Sequence, residues 1–193
     1  MKKICIMALL LTTTLCLGQA PEAALYNSNS DVYAGVVVTF PDYGPKWNSY
    51  NFKGGEVAYT RHFGTHWGMV ASSTVVHGNA FVFTATQYSE TGGVKYNILT
   101  GRLRPYVTAQ AGYAHQSSTG GTNGMYGNEH HPSLAPGLTD IEAGLAYRGG
   151  IGGDLQVTRR IYWRVAQWDV QRLPWGNHGS LYNNFSSGIG FGF

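Results

Sequence analysis

The last nine residues, Phe185-Ser-Ser-Gly-Ile-Gly-Phe-Gly-Phe193, restrict the fold more than any other stretch. Phe185, Ile189, Phe191 and Phe193 are large and apolar, whereas Ser186, Gly188, Gly190 and Gly192 are small. A repeat of two is the signature of a β-strand whose alternate side chains point to opposite faces. One face is greasy and the other almost bare. A soluble sandwich strand puts its bulk inward and polar groups outward. Here the small residues suit a crowded interior, so the aromatics must face an apolar medium. A final phenylalanine makes physical sense at a membrane interface, where aromatic rings collect.

The opposite end of the chain reads as an export signal. Residues 1–20, MKKICIMALLLTTTLCLGQA, carry Lys2 and Lys3, then an apolar core from Ile4 to Leu17, then small residues at Gly18 and Ala20. This pattern predicts a cleaved secretory signal peptide, cut at about 18–20. A lipoprotein signal at Cys16 fits poorly because the bulky Leu15 precedes that cysteine. Residues 21–30 are then a short periplasmic N-terminal segment and 31–193 the barrel domain. Both cysteines, Cys5 and Cys16, fall in the removed segment. The mature chain therefore has no thiol for a disulfide, a metal site or a nucleophile.

Without Lys2 and Lys3, the 13 basic residues become 11 against 10 acidic ones, a formal charge of +1. No basic run accompanies that balance, and nothing points to nucleic acid. Charged residues make up 12% of the chain, about half the share usual for a soluble domain. Mean hydropathy is slightly negative at −0.17, and past residue 20 no apolar run is long enough for a membrane helix. Few charges and many tyrosines and glycines, with no membrane helix, suit a transmembrane β-barrel.

Period-two alternation and turn residues divide the chain into eight strands. Strand one is Asp31–Phe40, with Val32, Ala34, Val36, Val38 and Phe40 on one face. Strand two is about Gly54–Phe63, with Glu56, Ala58, Thr60 and His62 opposite Val57, Tyr59 and Phe63. Strand three follows at Trp67–Val76, strand four at Val94–Gly101 and strand five at Tyr106–His115. A polar connection, roughly His77–Gly93, separates strands three and four, although Ala80–Ala85 could prolong strand three beyond the membrane. Strand six is the clearest: Ile141, Ala143, Leu145, Tyr147, Ile151, Leu155 and Val157 oppose a Gly-rich face bearing Glu142, Arg148 and Asp154. Strand seven is Ile161–Val170. The facing of strands four and seven stays open: Arg102 fits either face, and Arg164 and Asp169 fall on opposite faces unless a bulge intervenes.

An even strand count with long and short connections in strict alternation predicts a closed antiparallel meander barrel. The three short turns lie on one rim and the four long loops on the other. With a periplasmic N-terminus, the long loops are extracellular. A lipocalin-like soluble barrel would place apolar residues inside, whereas strand six places its charges on the Gly-rich inner face.

Several fragments carry a family resemblance: Tyr33-Ala-Gly35, Arg102-Leu-Arg-Pro-Tyr106, Gly152-Gly-Asp154, Arg164 to Asp169, and Asn183-Asn-Phe185 through Phe193. In this order and spacing the mature chain resembles the small eight-stranded outer-membrane protein β-barrel family, OmpA-like in its membrane part. The chain ends with the barrel, so no anchoring role of a peptidoglycan-binding domain is carried over. The resemblance implies location in the bacterial outer membrane and contact with its lipid. It also implies delivery by periplasmic chaperones to the barrel-assembly machinery, with Phe193 at the recognition aromatic and Phe185, Ile189 and Phe191 completing the signal. A monomer is expected.

An eight-stranded barrel is just wide enough for side chains to fill. Glu56, Glu142, Arg148, Asp154 and Arg164 are the candidates for a lumenal ion-pair network, because buried charges must be paired. Packing of a closed interior is the simpler reading of such a set, and a narrow gated pore the alternative. Trp67, Tyr106, Trp163, Trp168 and Trp175 are assigned to the interfacial girdles. Glu129-His130-His131 does not read as a metal site, since adjacent residues in an extended chain point apart. His178-Gly-Ser180 superficially resembles the His-x-Ser pair of lipid A deacylases, which are also eight-stranded barrels. The residues after Ser180 depart from that pattern. The expectation is therefore a non-enzymatic protein without cofactor or metal, with its function in the outer loops.

Overall fold

The computed structural model describes residues 29–41, 51–80, 83–120, 139–173 and 180–193. They form β1 (Ser30–Pro41), β2 (Phe52–Phe63), β3 (Trp67–Ala80), β4 (Phe83–Asn97), β5 (Leu103–Gly120), β6 (Thr139–Gln156), β7 (Ile161–Leu173) and β8 (Ser180–Gly192). Each strand pairs antiparallel with its sequence neighbours, and β8 pairs with β1 to close the barrel. Closure satisfies the backbone of every strand and removes the free edges that a bilayer would not tolerate.

Register fixes the shape. Followed through β2 to β5, the row from Ala34 passes Val57, Ser73, Glu90 and Tyr113 and reaches Leu145 on β6. Followed the other way through Ile189 and Trp163, it reaches Leu155. The two arrivals lie ten residues apart on β6, which is the shear. Eight strands with that stagger tilt by about 40° at ordinary strand spacings.

The outer surface matches the sequence-derived faces. Val36 is 68% exposed and Ile189 63%, with Leu145, Ile151, Met69 and Val57 also exposed. Aromatic residues flank this band. Toward the long-loop rim lie Phe40, Tyr88, Tyr113, Tyr147, Trp168 and Phe185; toward the turn rim lie Phe63, Trp67, Trp163, Phe191 and Phe193. On β8 the two levels are eight residues apart, about 20 Å along the axis at this tilt. That is close to the height of an outer-membrane apolar band. Two of the outward-facing indole nitrogens are satisfied locally: Trp163 Nε1 donates to Ser187 Oγ at 3.2 Å and Trp168 Nε1 to Asn183 Oδ1 at 3.2 Å.

Three expectations are corrected. The stretch His77–Gly93 is strand, not loop: His77 pairs with Thr86 and Ala80 with Phe83, leaving only residues 81–82 between β3 and β4. Its outer face carries Asn79, Thr84 and Thr86. Polar residues on both faces above the apolar band look like a loop, yet inner and outer positions still alternate within each strand, with Val76 and Gly78 inward on β3 and Ala85 and Gln87 inward on β4. Four connections still share one rim, but they are not all long. Strand four accordingly spans Phe83–Asn97 rather than Val94–Gly101, and strand five begins at Leu103, inside the supposed turn. Tyr106 is not an interfacial aromatic: it is 1% exposed and points into the lumen. Its phase follows Arg104, Thr108 and Gln110, all inward. Trp175 lies outside the described residues.

Candidate functional site

The distinctive chemistry of this barrel is inside it. Counting from the turn rim, the first layer holds Asp31, His62, Tyr162 and Arg104. Asp31 Oδ2 accepts from His62 Nε2 at 2.6 Å, and Asp31 Oδ1 accepts from Tyr162 Oη at 2.8 Å. Arg104 lies 5.7 Å from the Tyr162 ring centroid.

The next layer centres on Asp154, whose carboxylate takes Lys95 Nζ at 2.7 Å and Arg164 Nε at 3.1 Å. Arg164 also lies over the Tyr33 ring at 3.8 Å, and Lys95 over the Tyr106 ring at 4.0 Å. Each cation therefore has a carboxylate and a π face, which suits groups removed from water. Tyr106 Oη donates to Gln167 Oε1 at 2.6 Å, which ties this layer to the one above.

In that layer Arg148 bridges two carboxylates, Glu56 at 3.0 Å and Asp169 at 2.6 Å, and donates to Thr74 Oγ1 at 3.3 Å. Gln167 Nε2 donates to Asp169 Oδ2 at 2.7 Å. The register shift between Arg164 and Gln167 is the bulge that strand seven requires: it places Arg164, Gln167 and Asp169 on one inner face. Ser72, Thr91 and Gln110 form a neutral hydrogen-bonded group at this height, all bonds 2.8–2.9 Å.

Toward the long-loop rim the lumen is mixed. Val37, Phe52, Val76, Ala146, Leu173 and Tyr182 belong to one buried cluster. Interleaved with it, Asn184 joins Thr39 and Gln171 at 2.7 and 3.0 Å, and Gln87 and Gln116 are also buried.

Of the candidate lumenal residues, Glu56, Arg148, Asp154 and Arg164 fall in the two ion-pair layers. Glu142 does not: it sits half-buried opposite Gln116, six residues and about 20 Å up β6 from Arg148. Sequence reasoning missed Lys95, because strand four was misplaced, and left Asp169 open, because only a bulge turns it inward. It also missed Asp31 and His62 as partners. The buried charged side chains among the described residues are Lys95, Arg104, Arg148 and Arg164 against Asp31, Glu56, Asp154 and Asp169, four of each sign. Arg102 is exposed in the turn. Glu129, His130, His131 and His178 lie outside the described residues, and Ser180 begins β8.

The closed eight-stranded antiparallel meander is the fold of the small outer-membrane barrels, and solved structures share it. The Neisserial surface protein A (NspA) structure superposes with a TM-score of 0.66 at 13% identity, covering 86% of this chain and 98% of that one. Ail of Yersinia pestis, in complex with the heparin analogue sucrose octasulfate, gives 0.58 at 16% identity, covering 85% and 97%. The outer membrane protein OprG of Pseudomonas aeruginosa gives 0.56 at 12% identity, covering 88% and 98%. At these identities the likeness is one of fold. No protein-family model matches the chain, and no curated protein matches it.

Proposed function

We propose that this protein is a non-enzymatic outer-membrane barrel whose lumen is a sealed strut and whose long loops carry a structural or surface-interaction role. The observation behind this reading is a lumen filled by buried side chains, with four buried cations against four buried anions and the cluster of Val37, Phe52, Val76, Leu173 and Tyr182 packed among buried polar groups toward the long-loop rim. A permeating ion would have to displace paired charges and part packed side chains, and both steps are costly. What remains available to the outside is the long-loop rim.

On this reading residues 1–20 direct export, the chain reaches the outer membrane through chaperones and the barrel-assembly machinery, and it sits there as a monomer in contact with lipid. The test is a pair of measurements on the purified, refolded protein and on cells expressing it. Planar-bilayer recordings should show no steady conductance, and the acyl count of lipid A should not change on expression. Reproducible single-channel steps, altered in Glu56→Gln, would overturn the reading in favour of a pore. Loss of an acyl chain that disappears in Ser180→Ala would overturn it in favour of a lipid-modifying enzyme.

A further inference from the structure

Seven of the eight neighbouring strand pairs are joined by a connection at one rim or the other. The pair β1–β8 is joined at neither, because it is where the two ends of the barrel meet. At the turn rim this seam ends on backbone bonds alone, Phe193 N to Ser30 O at 2.9 Å and Ser30 N to Phe193 O at 3.3 Å. β1 and β2 are also short, at 12 residues against 18 for β5 and β6. Strand ends without a connecting turn are where local opening begins.

A side-chain arrangement spans this weak point. Tyr162 is on β7, two strands from β1, and β8 lies between. Its register partner on β8 is Gly190, which is also the partner of Tyr33 on β1. A Cβ at Gly190 would fall inside the Tyr162 ring, so only glycine leaves the ring room to lie across β8. The ring thus carries its hydroxyl over the last strand to Asp31 on β1, 2.8 Å away. The other oxygen of Asp31 takes His62 on β2 at 2.6 Å. Asp31 is 2% exposed, so both bonds are made to a carboxylate removed from water, where charge-assisted hydrogen bonds are strongest.

We propose that Tyr162, Asp31 and His62 form a latch across β7, β8, β1 and β2 that holds the closing seam of the barrel shut at the turn mouth. The bare face of the C-terminal strand acquires a specific role: Gly190 is the floor over which the latch passes. The latch draws its strength from side chains rather than from the ladder, so it can fail without unfolding the rest of the barrel.

Amide hydrogen exchange on the folded protein in lipid nanodiscs tests this. Tyr162→Phe removes one hydroxyl and keeps the ring. It should speed exchange about ten-fold at Val32 and Phe191, whose amides bond across β1–β8, as expected for losing one hydrogen bond to a buried charge. The β4–β5 ladder around Thr91–Val94 should stay unchanged. Asp31→Asn should speed the same amides at least as much, and Tyr162→Phe added to Asp31→Asn should do little more. Gly190→Ala, which pushes the ring off its floor, should reproduce the Tyr162→Phe pattern. Seam exchange unchanged in Tyr162→Phe, or a rise of equal size in β4–β5, would overturn the latch, the second because it would report global loosening. If Asp31→Asn does not fold, Tyr162→Phe and Gly190→Ala decide the matter alone.

Discussion

Replacing Arg148 by methionine is the sharpest probe of how the lumen is held. The guanidinium makes two charge-assisted bonds, to Glu56 and Asp169, and a third bond to Thr74. Methionine fills much of the volume but leaves two carboxylates, 2% and 0% exposed, without their shared cation. Removing one partner of a buried ion pair typically costs about 3–5 kcal/mol, most of it the penalty of stranding the other charge. Denaturant unfolding in lipid vesicles, followed by tryptophan fluorescence and by the heat-modifiable gel shift, should show a loss of that size. The triple variant Arg148→Met, Glu56→Gln, Asp169→Asn separates stranded charge from lost packing. Neutralising all three removes the penalty, so it should recover most of the stability that the single change loses. A loss under about 1 kcal/mol in the single variant, or a triple variant no better than it, would refute the claim that these charges are held dry and mutually compensated.

Two further outcomes are expected. Ile189→Arg puts a charge on an outward position of β8, 63% exposed and midway between Phe185 and Phe193, and should destabilise the folded barrel by about 2–4 kcal/mol in lipid, measured in the same unfolding assay. Phe193→Asp, or deletion of Phe193, should lower outer-membrane levels and raise periplasmic degradation in pulse-chase fractionation; unchanged assembly would remove Phe193 from the recognition signal.

Faces were legible in most of this sequence because a membrane barrel follows one rule, apolar outward and small or polar inward, to which outward Ser73 and Glu90 are exceptions. Val32 to Phe40, Ile141 to Val157 and Phe185 to Phe193 could be assigned from alternation alone, and the register bears each out. Strand ends were less legible because that rule stops at the membrane boundary while the hydrogen-bonded ladder does not. On β3 inner Val76 and Gly78 alternate with outer His77, and on β4 inner Ala85 and Gln87 alternate with outer Thr86 and Tyr88. With polar groups on both sides, hydrophobicity no longer marks the strand. Tyr106 was misassigned for a different reason. Aromatic identity was weighed above phase, although Thr108 and Gln110 already placed that parity inside.

The partners within the lumen were the least legible part, because pairing across a barrel depends on geometry that no single strand contains. Asp169 turns inward only through the bulge after Arg164, and nothing in Val165-Ala166 except two successive small apolar residues announces it. Arg148 reaches Glu56, 92 positions earlier in the chain, across the lumen from β6 to β2. Asp31 reaches Tyr162, 131 positions later. These contacts are set by the shear of ten, which decides the heights at which inward residues of distant strands meet. A different stagger would keep every face assignment and every strand, yet bring Arg148 level with a different set of side chains. The lumen chemistry is thus a consequence of register, summed over all eight strand pairs, and no single strand or seam carries it.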